Sequence, residues 1–383
     1  MSVTAAKGFT ATGVAAGIKE SGDLDLALVV NNGPLRAAAG VFTSNRVKAA
    51  PVLWSRQVLA SGTLSAVVLN SGGANACTGP GGFQDTHATA ERAADVLDVG
   101  AGEIAVCSTG LIGVRLPMER LLAGVETAAA RLSEHGGERA ALAIKTTDTT
   151  HKTAVVTGDG WTVGGMAKGA GMLAPGLATM LVVLTTDADV SAEELDRVLR
   201  DATRVTFDRV DSDGCMSTND TVLLLASGSS GRTPVPRAFA EAVRAVCADL
   251  AGQLVRDAEG AGKDIRIDVV NAATEDDAVL VGRAVARNNL LKCAVHGEDP
   301  NWGRVLSAVG TTTAAFEPDR LNVAINDVWV CRNGGVGEDR DLVDMRYREV
   351  RIVVDLAAGD ESATIWTNDL TADYVHENSA YST

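Results

Sequence analysis

The stretch KGAGMLAPGLATMLVVLTTD, from Lys168 to Asp187, joins two kinds of sequence that seldom abut. Gly169, Gly171, Pro175 and Gly176 form a turn-rich segment. At Ala178-Thr179 it gives way to an apolar run of strand length, rich in β-branched residues. The plain reading is a loop entering a buried strand. A sharper one starts from what the Thr179 hydroxyl lacks: it is a weak nucleophile and needs a base beside it. If the peptide bond before Thr179 is cut, the new α-amine sits on the same residue as the hydroxyl. Its ordinary pKa of about 7.7–8.0 suits it to act as that base. Ala178 leaves the preceding carbonyl unhindered, and the glycines allow the strained approach that self-cleavage needs. The strand then holds the released nucleophile rigidly.

At 383 residues the chain is too long for one small core, so one large layered domain or two lobes is expected. Hydrophobic residues at 46% against 22% charged argue for a folded chain rather than a disordered one. The net charge of -15, with 34 scattered Lys and Arg, repels phosphate backbones, so neither nucleic acid nor an anionic membrane is an expected partner. The six cysteines lie far apart without a C-x-x-C pair, the usage of reduced thiols. MSVTAAKGFT lacks the charged and apolar regions of a signal peptide, and no apolar run approaches the roughly 20 residues that span a bilayer. A cytoplasmic location is expected.

Short apolar segments read as strands: LALVV (26–30), SAVVLN (65–70), EIAVC (103–107) and TMLVVLTTD (179–187). Helical periodicity follows them at Asp85–Leu97, at Leu116–Leu132 and at Pro236–Ala258. Ser191 followed by Glu194 is a capping box opening a further helix. After Lys263 the pattern is strand, helix and strand, then several short strands (IRIDVV, RLNVAI, VWVC, REVRIVVDL, ATIWT). A layered α/β fold with helices outside is expected.

KGAGMLAPGLATM resembles the self-cleavage segment of the ornithine acetyltransferase family (glutamate N-acetyltransferase, arginine biosynthesis). The resemblance continues in order through STGLIG (108–113), TTDT (146–149), STNDT (217–221), DAEGAGK (257–263), HGEDPNWGR (296–304), TNDLT (367–371) and the terminal YVHENSAYST. It implies an αββα sandwich like that of the N-terminal-nucleophile hydrolases, with its own topology. It also implies cleavage into an α chain (1–178) and a β chain (179–383) that share one fold, with a smaller C-terminal lobe around 265–383. By the same resemblance Thr179 is the nucleophile, Thr109 and Gly110 form the oxyanion hole, and two cleaved protomers associate as α2β2. Substrate contacts fall to Thr146, Lys168, Thr179, Glu259, Asn378 and Thr383, with Thr147 as the neighbouring choice in TTDT. No cofactor is implied. Since Asn378 and Thr383 close the site, the C-terminus is expected to be ordered.

Taken alone, STG would be a strand-to-turn junction, Lys168 a solvated lysine, Glu259 a helix-end charge and Asn378 a frayed tail. The substrates supply a check on these residue types. Ornithine ends in an ammonium and glutamate in a carboxylate, so one pocket needs both a cation and an anion, and Lys168 and Glu259 could serve. DSDGCMSTND (211–220) superficially suggests a calcium loop, but Gly stands fourth and Val222 stands where a bidentate Glu is needed. Cys293, His296 and Asp299 lack the second pair that a zinc site requires. The glycines at 72, 73, 79, 81 and 82 form neither G-x-G-x-x-G nor a P-loop. No metal and no nucleotide are expected.

The expected reaction moves an acetyl group from N-acetylornithine to glutamate through acetyl-Thr179. Two alternatives stay open. One is a self-processed aminopeptidase or amidohydrolase, and the other a bifunctional enzyme that also takes acetyl-CoA. A branch serving secondary metabolism shares the chemistry.

Overall fold

The computed structural model describes residues 2–174 and 180–380. Ala178, Thr179 and Thr383 therefore lie outside the described residues. Two compact units emerge: one takes in the chain up to Asp208 and Cys215–Asp257, the other Arg209–Gly214 and the chain from Ala258 onward.

In the first unit, β1 (Phe9–Val14), β2 (Leu26–Asn31), β4 (Ala66–Gly73) and β5 (Ile104–Leu111) form one sheet in the order β1-β2-β4-β5. A second sheet runs β3 (Ala37–Phe42), β9 (Thr221–Ala226), β8 (Leu181–Thr186), β7 (Thr162–Lys168) and β6 (Lys152–Thr157). Strands β2, β8 and β9 are buried along their whole length, which is why they read as unbroken apolar runs. On one face, Met166, Leu181, Val183, Leu223 and Leu225 share a core with Leu26, Leu28 and Val67 of the first sheet. On the other, Leu184 closes round Gly165 with Val246 and Leu250 of α6 (Pro236–Arg256). Helix α5 (Ala192–Arg204) covers β3 beside it. Beyond the first sheet lie α1 (Ala50–Val58), α2 (Gly79–Leu97), α3 (Met118–Ala129) and α4 (Gly137–Ala143). The layers are thus helices, sheet, sheet and helices, as the sequence leads one to expect.

The second unit is simpler. Its sheet runs β13 (Gly335–Val336), β12 (Val328–Arg332), β11 (Asn322–Ile325), β14 (Glu349–Asp355), β10 (Asp264–Ala272) and β15 (Glu361–Asn368). Ile265, Ile267 and Val269 point into a core shared with Val281 and Val285 of α7 (Glu275–Ala286) and Val305 of α9 (Trp302–Val309). The alternate residues Arg266 and Asp268 face the other way, where Arg351 and Thr364 also bond to Asp268. This two-layer arrangement departs from the strand, helix, strand reading. Three helices rather than one, α7, α8 (Asn289–His296) and α9, separate β10 from β11, with Asn288 and Asn301 capping the two short ones.

Two local expectations change. Ser108-Thr109-Gly110 is not a turn after a strand; β5 runs on through it to Leu111, paired in parallel with β4. The capping box at α5 is half made: Ser191 Oγ accepts from the Glu194 amide at 3.3 Å, but the Glu194 carboxylate is held by Arg197 one turn on.

Candidate active site

Strand β5 is the edge of its sheet, and side chains seal that edge. Trp54 Nε1 donates to the Ile104 carbonyl at 3.0 Å, Ser55 Oγ donates to that of Val106 at 2.7 Å, and Asn219 Nδ2 donates to that of Ser108 at 2.8 Å. These outward groups recur every second residue along Ile104, Val106 and Ser108, and the regular pairing of β5 with β4 breaks at Gly72/Gly73, opposite Thr109–Leu111. Gly110 has φ +125, and a Cβ there would lie 2.6 Å from the Gly72 carbonyl carbon and the Gly73 nitrogen. Only glycine fits this approach of β5 to β4.

Lys168 ends β7 opposite Leu181 of β8, two neighbouring antiparallel strands, and the Ala178-Thr179 bond falls between them in the sequence. Lys168 is buried, and its Nζ donates to Thr109 Oγ1 at 3.3 Å and lies 4.0 Å from Asp148 Oδ2. Asp148 also accepts from Lys152 Nζ at 2.6 Å, from the Gly169 amide at 2.6 Å and from the Thr146 amide at 3.0 Å. At the start of β8, the Met180 amide donates to Asp220 Oδ1 at 3.1 Å. Thr109, Gly110, Thr146 and Lys168, singled out in the sequence, are thus linked through Asp148 and β5.

The two carboxyls of this cluster behave oppositely. Burial pushes Asp148 up, but Lys168, Lys152 and the Gly169 amide outweigh it and hold the group well below the usual carboxylate range. Asp220 is fully buried, and that burial raises it well above the usual range despite the Met180 amide and Lys168. The two buried carboxyls are thus shifted in opposite directions, Asp148 toward the anion and Asp220 toward the neutral acid. Burial also pushes the Cys107 thiol up to about 12, so it is no nucleophile.

Glu259 and Asn378 lie in the second unit. Asn378 Nδ2 donates to Glu259 Oε2 at 3.0 Å. Asn378 belongs to α10 (Ala372–Ala380), whose first turn is tied to DAEGAGK: Thr371 Oγ1 donates to the Gly260 carbonyl at 2.6 Å and caps the Tyr374 amide at 2.9 Å. Beside Glu259 a cavity of about 240 Å³ carries both signs of charge, with Arg287 and Lys292 facing Asp213 and Asp369. His296 Nδ1 meets Asp369 Oδ2 at 2.9 Å, and Asp369 also accepts from the Gly262 and Lys263 amides. Among the described residues no group of three or more His, Cys, Asp or Glu is placed to hold a metal ion, and no helix is long and apolar enough to cross a membrane.

Over residues 10–383 the sequence matches the model of the ArgJ family. The chain belongs to the ArgJ family. It is 83% identical over 382 residues to the arginine biosynthesis bifunctional protein ArgJ of Streptomyces coelicolor, with 100% of both chains covered. Identity to the ArgJ protein of Thermobifida fusca is 64%, again over 100% of each. Among solved structures, the ornithine acetyltransferase complexed with ornithine from Mycobacterium tuberculosis is 62% identical over 47% of this chain and 96% of that one, with a TM-score of 0.45. The ArgJ protein of Bacillus halodurans is 32% identical over 51% of this chain and 97% of that one, with a TM-score of 0.49.

Within this ArgJ-family chain, sequence reading passed over Asp148, Lys152, Asn219 and Asp220. Asp148, Asn219 and Asp220 stand inside quoted motifs, yet their partners are distant: Gly169 lies 21 residues from Asp148, and Met180 lies 40 residues from Asp220.

Proposed function

We propose that this chain is an ornithine acetyltransferase of arginine biosynthesis that cleaves itself before Thr179 and works through an acetyl-Thr179 ester. The observation that carries the reading is the Lys168–Thr109 contact at 3.3 Å, with Lys168 paired to Leu181 two residues beyond Thr179. Thr179 Oγ attacks the acetyl carbonyl of N-acetylornithine, and its α-amine takes the hydroxyl proton. The Thr109 hydroxyl and the Gly110 N–H donate to the oxyanion. The C–N bond breaks, the α-amine returns the proton to the leaving ornithine nitrogen, and the acetyl ester remains. The glutamate amine then attacks the ester, Thr179 Oγ leaves and is reprotonated, and N-acetylglutamate departs. An amide is exchanged for a similar amide, so the reaction needs no ATP, and water must be kept from the ester.

Thr146, Lys168, Glu259, Asn378 and Thr383 are the proposed substrate residues, with Lys168 and Glu259 as the cationic and anionic partners. The proposal includes a cytoplasmic α2β2 assembly, to be checked by native mass. Its kinetic test is ornithine release with glutamate as acceptor. Parallel ping-pong lines support the double displacement, and hydrolysis at the same rate without glutamate would favour the amidohydrolase alternative. The relatives are called bifunctional, which fits a second activity; the candidate implied by the resemblance is acetyl-CoA as donor, and thiol release from acetyl-CoA that depends on glutamate is the assay for it.

A further inference from the structure

Asp148 sits between α4 and β6 with its side chain wholly buried, and three hydrogen-bond donors and a second lysine surround it. Lys152 Nζ lies at 2.6 Å, the Gly169 amide at 2.6 Å, the Thr146 amide at 3.0 Å and Lys168 Nζ at 4.0 Å. Lys152 is buried as well and is shared with Asp257 at 2.5 Å. A buried ion pair is often replaceable by apolar packing at no loss of stability, so stability alone does not account for a carboxylate this deep between two lysines.

We propose that Asp148 is a positioning residue for acetyl transfer: it keeps Lys168 charged and so fixes the direction in which the Thr109 hydroxyl donates. The proposal rests on the oxyanion role given to Thr109 above. An ammonium carries donors only, whereas a neutral amine also has a lone pair that accepts. While Lys168 is an ammonium, Thr109 Oγ1 accepts from it and must turn its own proton elsewhere, toward the oxyanion. A neutral Lys168 could take that proton and turn the donor away. Among the described residues the charged groups bearing on Lys168 include Asp148, Lys152 on the far side of Asp148, Lys19, and the buried carboxyl of Asp220. Without Asp148, a buried Lys168 faces Lys19 and Lys152, and both burial and like charge disfavour its charged form.

The test titrates Lys168 without turnover. In 13C-lysine-labelled protein the Lys168 Cε resonance, identified by its loss in Lys168→Met, is followed against pH in the wild type and in Asp148→Asn. The midpoint in Asp148→Asn is expected about one to three pH units below the wild type, the effect of losing an opposite charge at this range. The kcat profile of the variant should gain an alkaline limb at the new midpoint, with KM changed less. If Asp148→Asn does not fold, Asp148→Asn/Lys152→Gln removes both members of the buried pair and is read in its place, its midpoint falling short of the wild type by a smaller margin. An unmoved Lys168 midpoint, or an equal loss of kcat at every pH, overturns the proposal. Wild-type protein that transfers no acetyl group overturns the activity reading instead, and the titration tells the two failures apart.

Discussion

Lys168 Nζ donates to Thr109 Oγ1 at 3.3 Å across the two sheets of the first unit, from the last residue of β7 to the sixth residue of β5. The contact uses the hydroxyl's acceptor side and leaves its proton to serve as a donor. Thr109→Ala removes one of the two proposed oxyanion donors and is expected to lower kcat by about 100 to 1,000-fold. Thr109→Ser restores most of it. Steady-state rates for the two variants check this, and a Thr109→Ala enzyme within a few-fold of wild type contradicts the role.

Asp220 Oδ1 accepts from the Met180 amide, and burial raises its carboxyl well above the usual range. Asp220→Asn keeps the acceptor and cannot ionise, and urea unfolding should move by less than about 1 kcal/mol. Asp220→Ala leaves the buried Met180 N–H unpaired, and a loss of about 1–3 kcal/mol is expected. Equal losses in both variants would show that the carboxyl works as an anion.

Asp211 of the second unit accepts from Arg287 Nε at 2.7 Å, and its other oxygen is buried with no hydrogen-bond partner. Burial outweighs Arg287 and pushes this carboxyl up to about 6. A carboxyl raised in the folded state contributes stability that is complete below its unfolded pKa of about 3.9 and is lost as pH climbs through about 6. Asp211→Asn cannot ionise, so its Tm relative to wild type should rise between pH 4 and pH 7. A difference that stays flat or falls over that range contradicts the assignment.

Glu259 is held by Asn378 and faces a cavity of mixed charge. If Glu259 is the proposed anionic partner of the substrate ammonium, its change to Gln should raise KM for N-acetylornithine more than for glutamate. Equal effects on the two substrates count against the pairing.

Much of this was legible in the sequence where a single physical signal decided the matter. Strands β2 and β8 are buried on both faces and so read as unbroken apolar runs, and α6 shows its buried Phe239, Val243, Val246 and Leu250 at helical spacing. Strand β7 was not legible, because Gly164 and Gly165 weaken any strand signal; both are small to admit neighbours, Gly165 making room for Leu184, Val246 and Leu250. Thr109, Gly110, Thr146 and Lys168 came from motif resemblance, and the fold supplies what the motifs omit. The carboxyls of Asp148 and Asp220 are shifted in opposite directions although both are buried aspartates in polar motifs, and the difference lies in the two lysines that reach only Asp148 closely.

The most direct test is the mass of the purified protein under denaturing conditions, before and after incubation with N-acetylornithine in the absence of glutamate. Two chains of 178 and 205 residues are expected, the second beginning Thr-Met-Leu-Val and gaining the mass of one acetyl group. A single intact chain of 383 residues in protein that transfers acetyl groups would contradict the account.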